Sequence, residues 1–191
     1  DKLRTDALAQ ISKSYIQLQP IVVKASDYGS PTIRTRVFFI GYDPKRCTPL
    51  NELMFNAAAE TQKTNVRDAL RGLPEVGDFW ETEDGILQVS DYEHTPFGSR
   101  LNGMIPENVG HAPSIDALAK RGRVSGFLAT RHTMPTVERF RLTPPGKSDA
   151  ISKCPRLDFE GYCPTLRAGT GSDKGSFQAV RPIHPSQPRV I

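Results

Sequence analysis

The sequence predicts an α+β protein: an edge of an α/β sheet, made of one helix and two strands, followed by a small irregular α+β domain. Three observations carry this. Leu3, Ala7, Ile11 and Tyr15 recur at four-residue steps with Leu8 beside them, which is the period of a helix face. Two apolar runs, Ile21-Val22-Val23 and Val37-Phe38-Phe39-Ile40, flank the turn-forming Asp27-Tyr28-Gly29-Ser30-Pro31. Beyond residue 44 no period is sustained, and glycine and proline recur to the end of the chain.

Taken in order, a helix is expected over residues 5–16, ended before Pro20. The Ile21–Val23 run reads as a strand. The Val37–Ile40 run reads as a buried strand, stopped by Gly41 and Pro44. Such a sheet cannot be built from about forty residues, so its other strands must lie elsewhere. Residues 51–63 are expected to be helical. Thr64 is a candidate cap for a short helix through Val66, Ala69 and Leu70, closed by Gly72 and Pro74. Residues 86–89 read as a strand. Ser114 is a candidate cap for a helix over 115–121, stopped by Gly122. Residues 137–142 fit either class: a strand puts Arg139 and Arg141 on one face and Phe140 and Leu142 on the other, whereas a helix spreads them. Ala168-Gly169-Thr170-Gly171-Ser172 reads as a close-approach loop, and Arg181-Pro182-Ile183-His184-Pro185 as an extended linker.

Composition narrows function. The 191 residues carry a net charge of +4, unevenly spread. Residues 45–116 hold 6 Lys/Arg against 12 Asp/Glu, and residues 117–147 hold 7 Lys/Arg against one acid, Glu138. That asymmetry fits a basic face presented to a polyanion, and equally a solvated charged surface. No apolar run approaches the roughly 20 residues of a membrane helix, and no secretion signal is legible, so no membrane partner is expected. Cys47, Cys154 and Cys163 form no Cys-x-x-Cys pair, and the four histidines have no ligand spacing, so no metal is expected. A reducing, cytoplasmic setting fits three scattered thiols. The first residue is not Met, and the chain stops at Val190-Ile191 with no turn or cap, so a fragment boundary is expected at each end.

Three stretches carry a family resemblance. Asp27-Tyr28-Gly29-Ser30-Pro31-Thr32-Ile33-Arg34-Thr35-Arg36-Val37-Phe38-Phe39-Ile40-Gly41 resembles the motif Asp-Tyr-Gly-x-Pro-Gln-x-Arg-x-Arg-Val-Phe-x-x-Gly of bacterial cytosine-5 DNA methyltransferases. Thr32 stands where that family has Gln. Cys163-Pro164-Thr165-Leu166-Arg167-Ala168-Gly169 is similar to the Thr-Leu signature of the family's target recognition domain. Residues 181–191 resemble the lead-in to the family's next conserved helix, and Thr64–Pro74 is a weaker echo. These stretches cover about a fifth of the chain, in the family's order.

The resemblance implies residues 1–44 as an edge of the Rossmann-like catalytic domain, 45–180 as the target recognition domain, and 181–191 as the return to the catalytic domain. It implies a parent enzyme, of the restriction–modification kind or an orphan methylase, that moves a methyl group from S-adenosylmethionine to carbon 5 of a flipped cytosine in duplex DNA. A Cys thiolate performs the attack in that family. Its Pro-Cys motif is absent here: Cys154-Pro155 and Cys163-Pro164 run in reverse order, and no Glu-Asn-Val and no cofactor loop occur. This chain alone is therefore expected to be inactive and to bind no cofactor; its partners are expected to be duplex DNA and the remainder of the methyltransferase chain. By resemblance Arg36 supports the flipped cytosine, and Arg34 has a structural or phosphate role. Thr165, Leu166, Arg167, Ala168, Gly169, Thr170 and Gly171 are the candidates for reading DNA, with Arg167 on a guanine or a phosphate. Arg131, His132, Arg139 and Arg141 are candidate phosphate contacts. Trp80 reads as core. A stand-alone DNA-binding module, an inactive relative and an RNA methylase are the alternatives.

Overall fold

A computed structural model of the protein describes residues 2–11, 13–57, 62–73, 85–89, 96–101, 110–127, 130–166 and 181–191. It is a mixture of short helices and strands. The chain divides into two compact units, residues 1–29 with 34–63, and residues 30–33 with 64–191.

In the first unit, helix α1 spans Lys2–Ala9, shorter than the 5–16 expected. The reason lies in the next residues: Ile16–Gln17 (β1) pair antiparallel with Gly41–Tyr42 (β5), which draws the chain into extended backbone. Ile11 and Tyr15, read as part of the helix face, are exposed. Strand β2, Ile21–Lys24, pairs antiparallel with β4, Thr35–Phe38, in the register Val22 with Val37 and Val23 with Arg36. A 3-10 turn, Ala25–Tyr28, closes on Gly29 at φ +80, where only glycine sits without strain. The turn expected between the two strands is therefore present.

The expected burial of Val37–Ile40 is not observed. Val37, Phe38 and Phe39 are exposed, and so is Val22 opposite. A two-stranded ribbon has two open faces, and a third strand or a covering layer is what closes one of them. Gly41 does not stop the chain's extension either, because it begins β5. In place of the helix expected over 51–63, the described residues hold a 3-10 turn at Glu52–Phe55, whose Asn51 makes no side-chain cap.

In the second unit, helix α2 is Val66–Leu70, and its cap is Asn65, not Thr64. Asn65 and Asp68 exchange side chain-to-backbone bonds of 2.9 and 3.1 Å, a capping box. Thr64 is buried, with its hydroxyl bonded by Arg100. Helix α3 is Pro96–Leu101. Helix α4, Ala112–Arg121, starts from His111 with proline in its first turn, so Ser114 is not the cap. Ser114 Oγ instead meets His111 Nδ1 at 2.7 Å. Gly122 ends α4 as expected, at φ +57, with its N–H on the Ala117 and Leu118 carbonyls. Leu87–Gln88 (β6) pairs with Arg123–Val124 (β7). Met134–Leu142 is helix α5, which decides the ambiguous segment; only Phe140 of it is buried.

Phe140, Ile183 and Val190 form the buried cluster, with Cys154 packed against it. Each such side chain contributes about 1.5–3 kcal/mol through burial. Residue 183 bridges both Arg156 and Val190, so the expected linker at 181–191 is tied into the unit. Arg156 fastens this layer to the end of α5. Its Nη1 donates to the Phe140, Arg141 and Thr143 carbonyls at 3.1, 3.0 and 2.8 Å, and its Nε donates to Pro185 O at 3.1 Å. The last carbonyls of a helix have no partner within it, and a cation there also meets the negative end of the helix dipole.

Candidate nucleic-acid interface

Strand β3 is only two residues, Thr32–Ile33, and β8 is only Cys163–Pro164. They pair in parallel, Thr32 with Cys163 and Ile33 with Pro164. The Cys163 N–H donates to Pro31 O at 2.8 Å, and the Thr165 hydroxyl donates to Ile33 O at 3.1 Å. Residues about 130 positions apart in sequence are thus hydrogen-bonded neighbours. Before the ladder, the hydroxyls of Ser30 and Thr32 share a hydrogen bond of 2.5 Å, and the Thr32 N–H donates to Ser30 Oγ at 3.3 Å. Thr32, which departs from the sequence pattern, is therefore engaged with its own turn.

Arg34 and Arg36 follow β3 directly in sequence and are exposed. Arg36 is paired with Val23 in the β2–β4 ladder, and its Nη1 donates to Thr35 O at 2.7 Å. Leu166 is exposed. Arg167, Ala168, Gly169, Thr170 and Gly171 lie outside the described residues, as does Trp80.

The basic stretch is less open than its composition suggests. Arg131 is exposed, but His132 is half-buried. His132 Nε2 accepts the Val190 N–H at 3.3 Å, its ring stands edge-on to Phe140 at 5.2 Å, and burial lowers its pKa. Arg139 pairs with the buried Asp149 at 2.9 Å, and Arg141 with Glu138 at 2.5 Å. Lys120 pairs with Asp116 at 2.9 Å.

The Cys163 thiol is not set up as a nucleophile. Burial pushes the Cys163 thiol up, and its Sγ donates to Pro164 O at 3.4 Å. Among the described residues, a cavity of about 440 Å³ lies between Leu70, Phe127, Phe159, His184, Arg189 and Val190.

Solved structures and curated proteins similar to this chain agree with one another. Type II methyltransferase M.XorII of Xanthomonas oryzae pv. oryzae is 32% identical over 173 residues, which is 89% of this chain and 38% of that protein. Type II methyltransferase M.DdeI of Desulfomicrobium norvegicum is 30% identical over 131 residues, 67% of this chain and 27% of that protein. A crystal structure described as a DNA modification methyltransferase encoded within a prophage of E. coli superimposes with a TM-score of 0.80 at 38% identity, over 100% of this chain and 51% of that one. The chain belongs to the DNA methyltransferases. No family model matches it. It spans well under half the length of the two curated relatives and about half of the crystallised chain.

Three structural residues of this methyltransferase were not singled out from its sequence. Asp149, held by Arg139 and by Ser152, had a legible signal, since an Asp three residues before a Ser is a common side-chain turn. Arg156 had none, because its carbonyl partners come from distant positions. His184 Nδ1 accepts the Ser186 and Gln187 N–H groups, both at 3.2 Å. Burial, then the charges of Arg189 and Arg156, lower its pKa to about 4. Nothing local marks that histidine as an acceptor.

Proposed function

We propose that this chain is the DNA-recognition part of a cytosine-5 DNA methyltransferase. The intact enzyme transfers the methyl group of S-adenosylmethionine to carbon 5 of a cytosine flipped out of duplex DNA. Residues 1–44 form an edge of its Rossmann-like catalytic domain, 45–180 its target recognition domain, and 181–191 the return to the catalytic domain. The single observation that carries this reading is the parallel pairing of Thr32–Ile33 with Cys163–Pro164. The two stretches that resemble the cytosine-5 family separately are brought into one ladder. The exposed faces of Val22, Val37 and Phe39 support the edge assignment, because they are the surface a larger sheet would cover.

In this reading Arg36 donates from its guanidinium fork to the carbonyl oxygen of the extruded base, and Arg34 holds the strand or a phosphate. Residues 165–171 are assigned to reading DNA, and the basic stretch that includes Arg131 and Arg141 to phosphate contacts. The chemistry of the pockets does not fit S-adenosylmethionine. Its sulfonium and ammonium cations call for anionic acceptors, whereas among the described residues neither the 440 Å³ cavity nor a second one of about 420 Å³ is lined by a carboxylate. Methyl transfer is accordingly assigned to the intact enzyme, and this chain alone is expected to be inactive.

The test is bisulfite sequencing of DNA from cells that express the full-length enzyme. Cytosines in one short sequence context are expected to be protected, and Arg36→Ala is expected to remove nearly all of that protection without unfolding the protein. Methylated adenine, or unchanged protection in Arg36→Ala, would overturn the reading.

A further inference from the structure

Residues 147–156 form a hairpin that lies wholly within the second unit. Ser148 bridges Pro155 antiparallel, the Asp149 N–H donates to Cys154 O at 2.9 Å, and the Arg156 N–H donates to Lys147 O at 2.7 Å. The tip between the arms is braced from inside. Asp149, with a side chain 1% exposed, accepts from Arg139 and from both the N–H and the hydroxyl of Ser152. Lys153 takes φ +59, a left-handed backbone that a residue with a Cβ adopts only at a cost. Its N–H donates to Asp149 O at 3.0 Å and its Nζ to Ala150 O at 2.8 Å. Arg156 ties the base of the hairpin to the last turn of α5.

A strained residue and a buried carboxylate persist where the surrounding structure holds them, and here they shape a turn that fills no core. None of residues 150–153 belongs to the cluster of Phe140, Ile183 and Val190. What the tip carries points outward: Ile151 is 63% exposed. A lone exposed isoleucine is ordinary on a protein surface. This one stands at the apex of a turn fixed by an ion pair and a left-handed lysine, so its place is set before any partner arrives.

The charge of the hairpin names the partner. From Pro144 to Arg156 the one acid is Asp149, and it is turned inward. Solvent therefore meets Lys147, Lys153 and apolar atoms, with no negative charge among them. That surface fits a polyanion that also offers apolar edges, which is what the phosphates and major-groove base edges of duplex DNA provide. The chain leaves the hairpin at Arg156 and reaches Thr165, the first residue of the stretch assigned to reading DNA, after one short segment.

We propose that this hairpin is a second base-reading element: Ile151 makes an apolar contact with a base edge in the target site, and Lys147 holds a flanking phosphate. Lys153 shapes the tip, and Arg139 stays on Asp149. This rests on the reading of the chain as the DNA-recognition part of a methyltransferase.

The experiment uses the full-length methyltransferase with Ile151→Ala, Ile151→Val and Lys147→Ala. The kcat/KM for methyl transfer is measured on a duplex carrying the site that the unsubstituted enzyme methylates and on duplexes changed at one base pair. The dissociation constant is measured across a salt series. Ile151→Ala is expected to lose roughly 10-fold of the preference for the cognate site at one base-pair position, the size of a single base contact, with the salt slope unchanged. Ile151→Val, which keeps the branched Cβ, is expected to retain most of that preference. Lys147→Ala is expected to weaken binding to all sites alike and to reduce the slope of log K against log salt by about 1. Full preference at every position in Ile151→Ala would overturn the reading role. A lower melting temperature in that variant with preference intact would show Ile151 covered by the remainder of the chain, and would overturn it too. An unchanged slope in Lys147→Ala would remove Lys147 from the contact. The unsubstituted enzyme separates the two ideas: if it methylates no cytosine in duplex DNA, the underlying reading fails, whereas a site-specific enzyme with an indifferent Ile151→Ala sinks only this proposal.

Discussion

Arg139 Nε lies 2.9 Å from Asp149 Oδ1, and the Asp149 side chain is only 1% exposed. Asp149 also accepts the Ser152 N–H at 2.6 Å and the Ser152 hydroxyl at 2.7 Å. One carboxylate thus ties the end of α5 to the 149–153 turn. Burial pushes its pKa up, but the hydrogen bonds from Arg139 and Ser152 outweigh that and hold it at about 2.

Asp149→Ala is expected to destabilise the chain. A broken buried pair costs about 3–5 kcal/mol where the remaining charge is fully enclosed; Arg139 reaches solvent in part, so about 2–3 kcal/mol is expected here. Urea denaturation should show a lower midpoint at an unchanged m-value. The same group shapes the acid limb. Its folded pKa lies below its unfolded value of 3.8, so its contribution is complete above pH 4 and is lost as pH falls toward 2. Asp149→Asn should flatten that limb, and an unaltered limb would remove Asp149 from the account.

A second loss of stability is expected at milder acidity. His184 accepts two backbone N–H groups through Nδ1, which requires the neutral ring, and its folded pKa of about 4 is below the ordinary 6.5. Between these values the unfolded chain binds the proton more readily than the folded one. Stability is therefore full above pH 6.5 and declines as pH falls toward 4. His132, also an acceptor and also lowered by burial, adds to the decline. Melting temperatures recorded from pH 7.5 to 4 should fall, and His184→Asn, whose amide oxygen replaces the Nδ1 acceptor, should reduce the slope. A slope identical to that of the unsubstituted chain would show that His184 does not titrate with unfolding.

Some of this was legible in the sequence and some was not, and the division has physical causes. Turn chemistry is local, so Gly29 and Gly122 were found with their roles. The Asp-Tyr-Gly…Arg-x-Arg and Thr-Leu stretches were legible as motifs, but their pairing was not, because a parallel contact across about 130 residues leaves no trace in local periodicity. Helix α5 stayed ambiguous because Arg139-Phe140-Arg141-Leu142 alternates like a strand, although Thr133 before Pro135 was a start signal. Val37–Ile40 was read as buried since it is apolar, but hydrophobicity records what a segment can bury, and here the ribbon's faces are open. The basic stretch was counted by charge, and charge counts do not see partners such as Asp149 and Asp116.

Those partners set the salt dependence of DNA binding. Each phosphate neutralised by Lys or Arg contributes a slope of about −0.9 to log K against log salt. Arg139 is held by a buried carboxylate and has another task, so it should contribute nothing. Arg141 and Glu138 form a pair at 60% and 54% side-chain exposure, and such surface pairs are worth about 0–1 kcal/mol, little enough to yield to a phosphate. With the full-length enzyme and a duplex titrated from 50 to 300 mM salt, Arg141→Ala is expected to weaken binding and to reduce the slope by about 1. Arg139→Gln, which removes the charge and is measured under conditions where the variant is folded, is expected to leave the slope unchanged. If Arg141→Ala left the slope unchanged and Arg139→Gln reduced it, DNA would be met by the Asp149 side of α5, and the phosphate-facing role of Arg141 would be wrong.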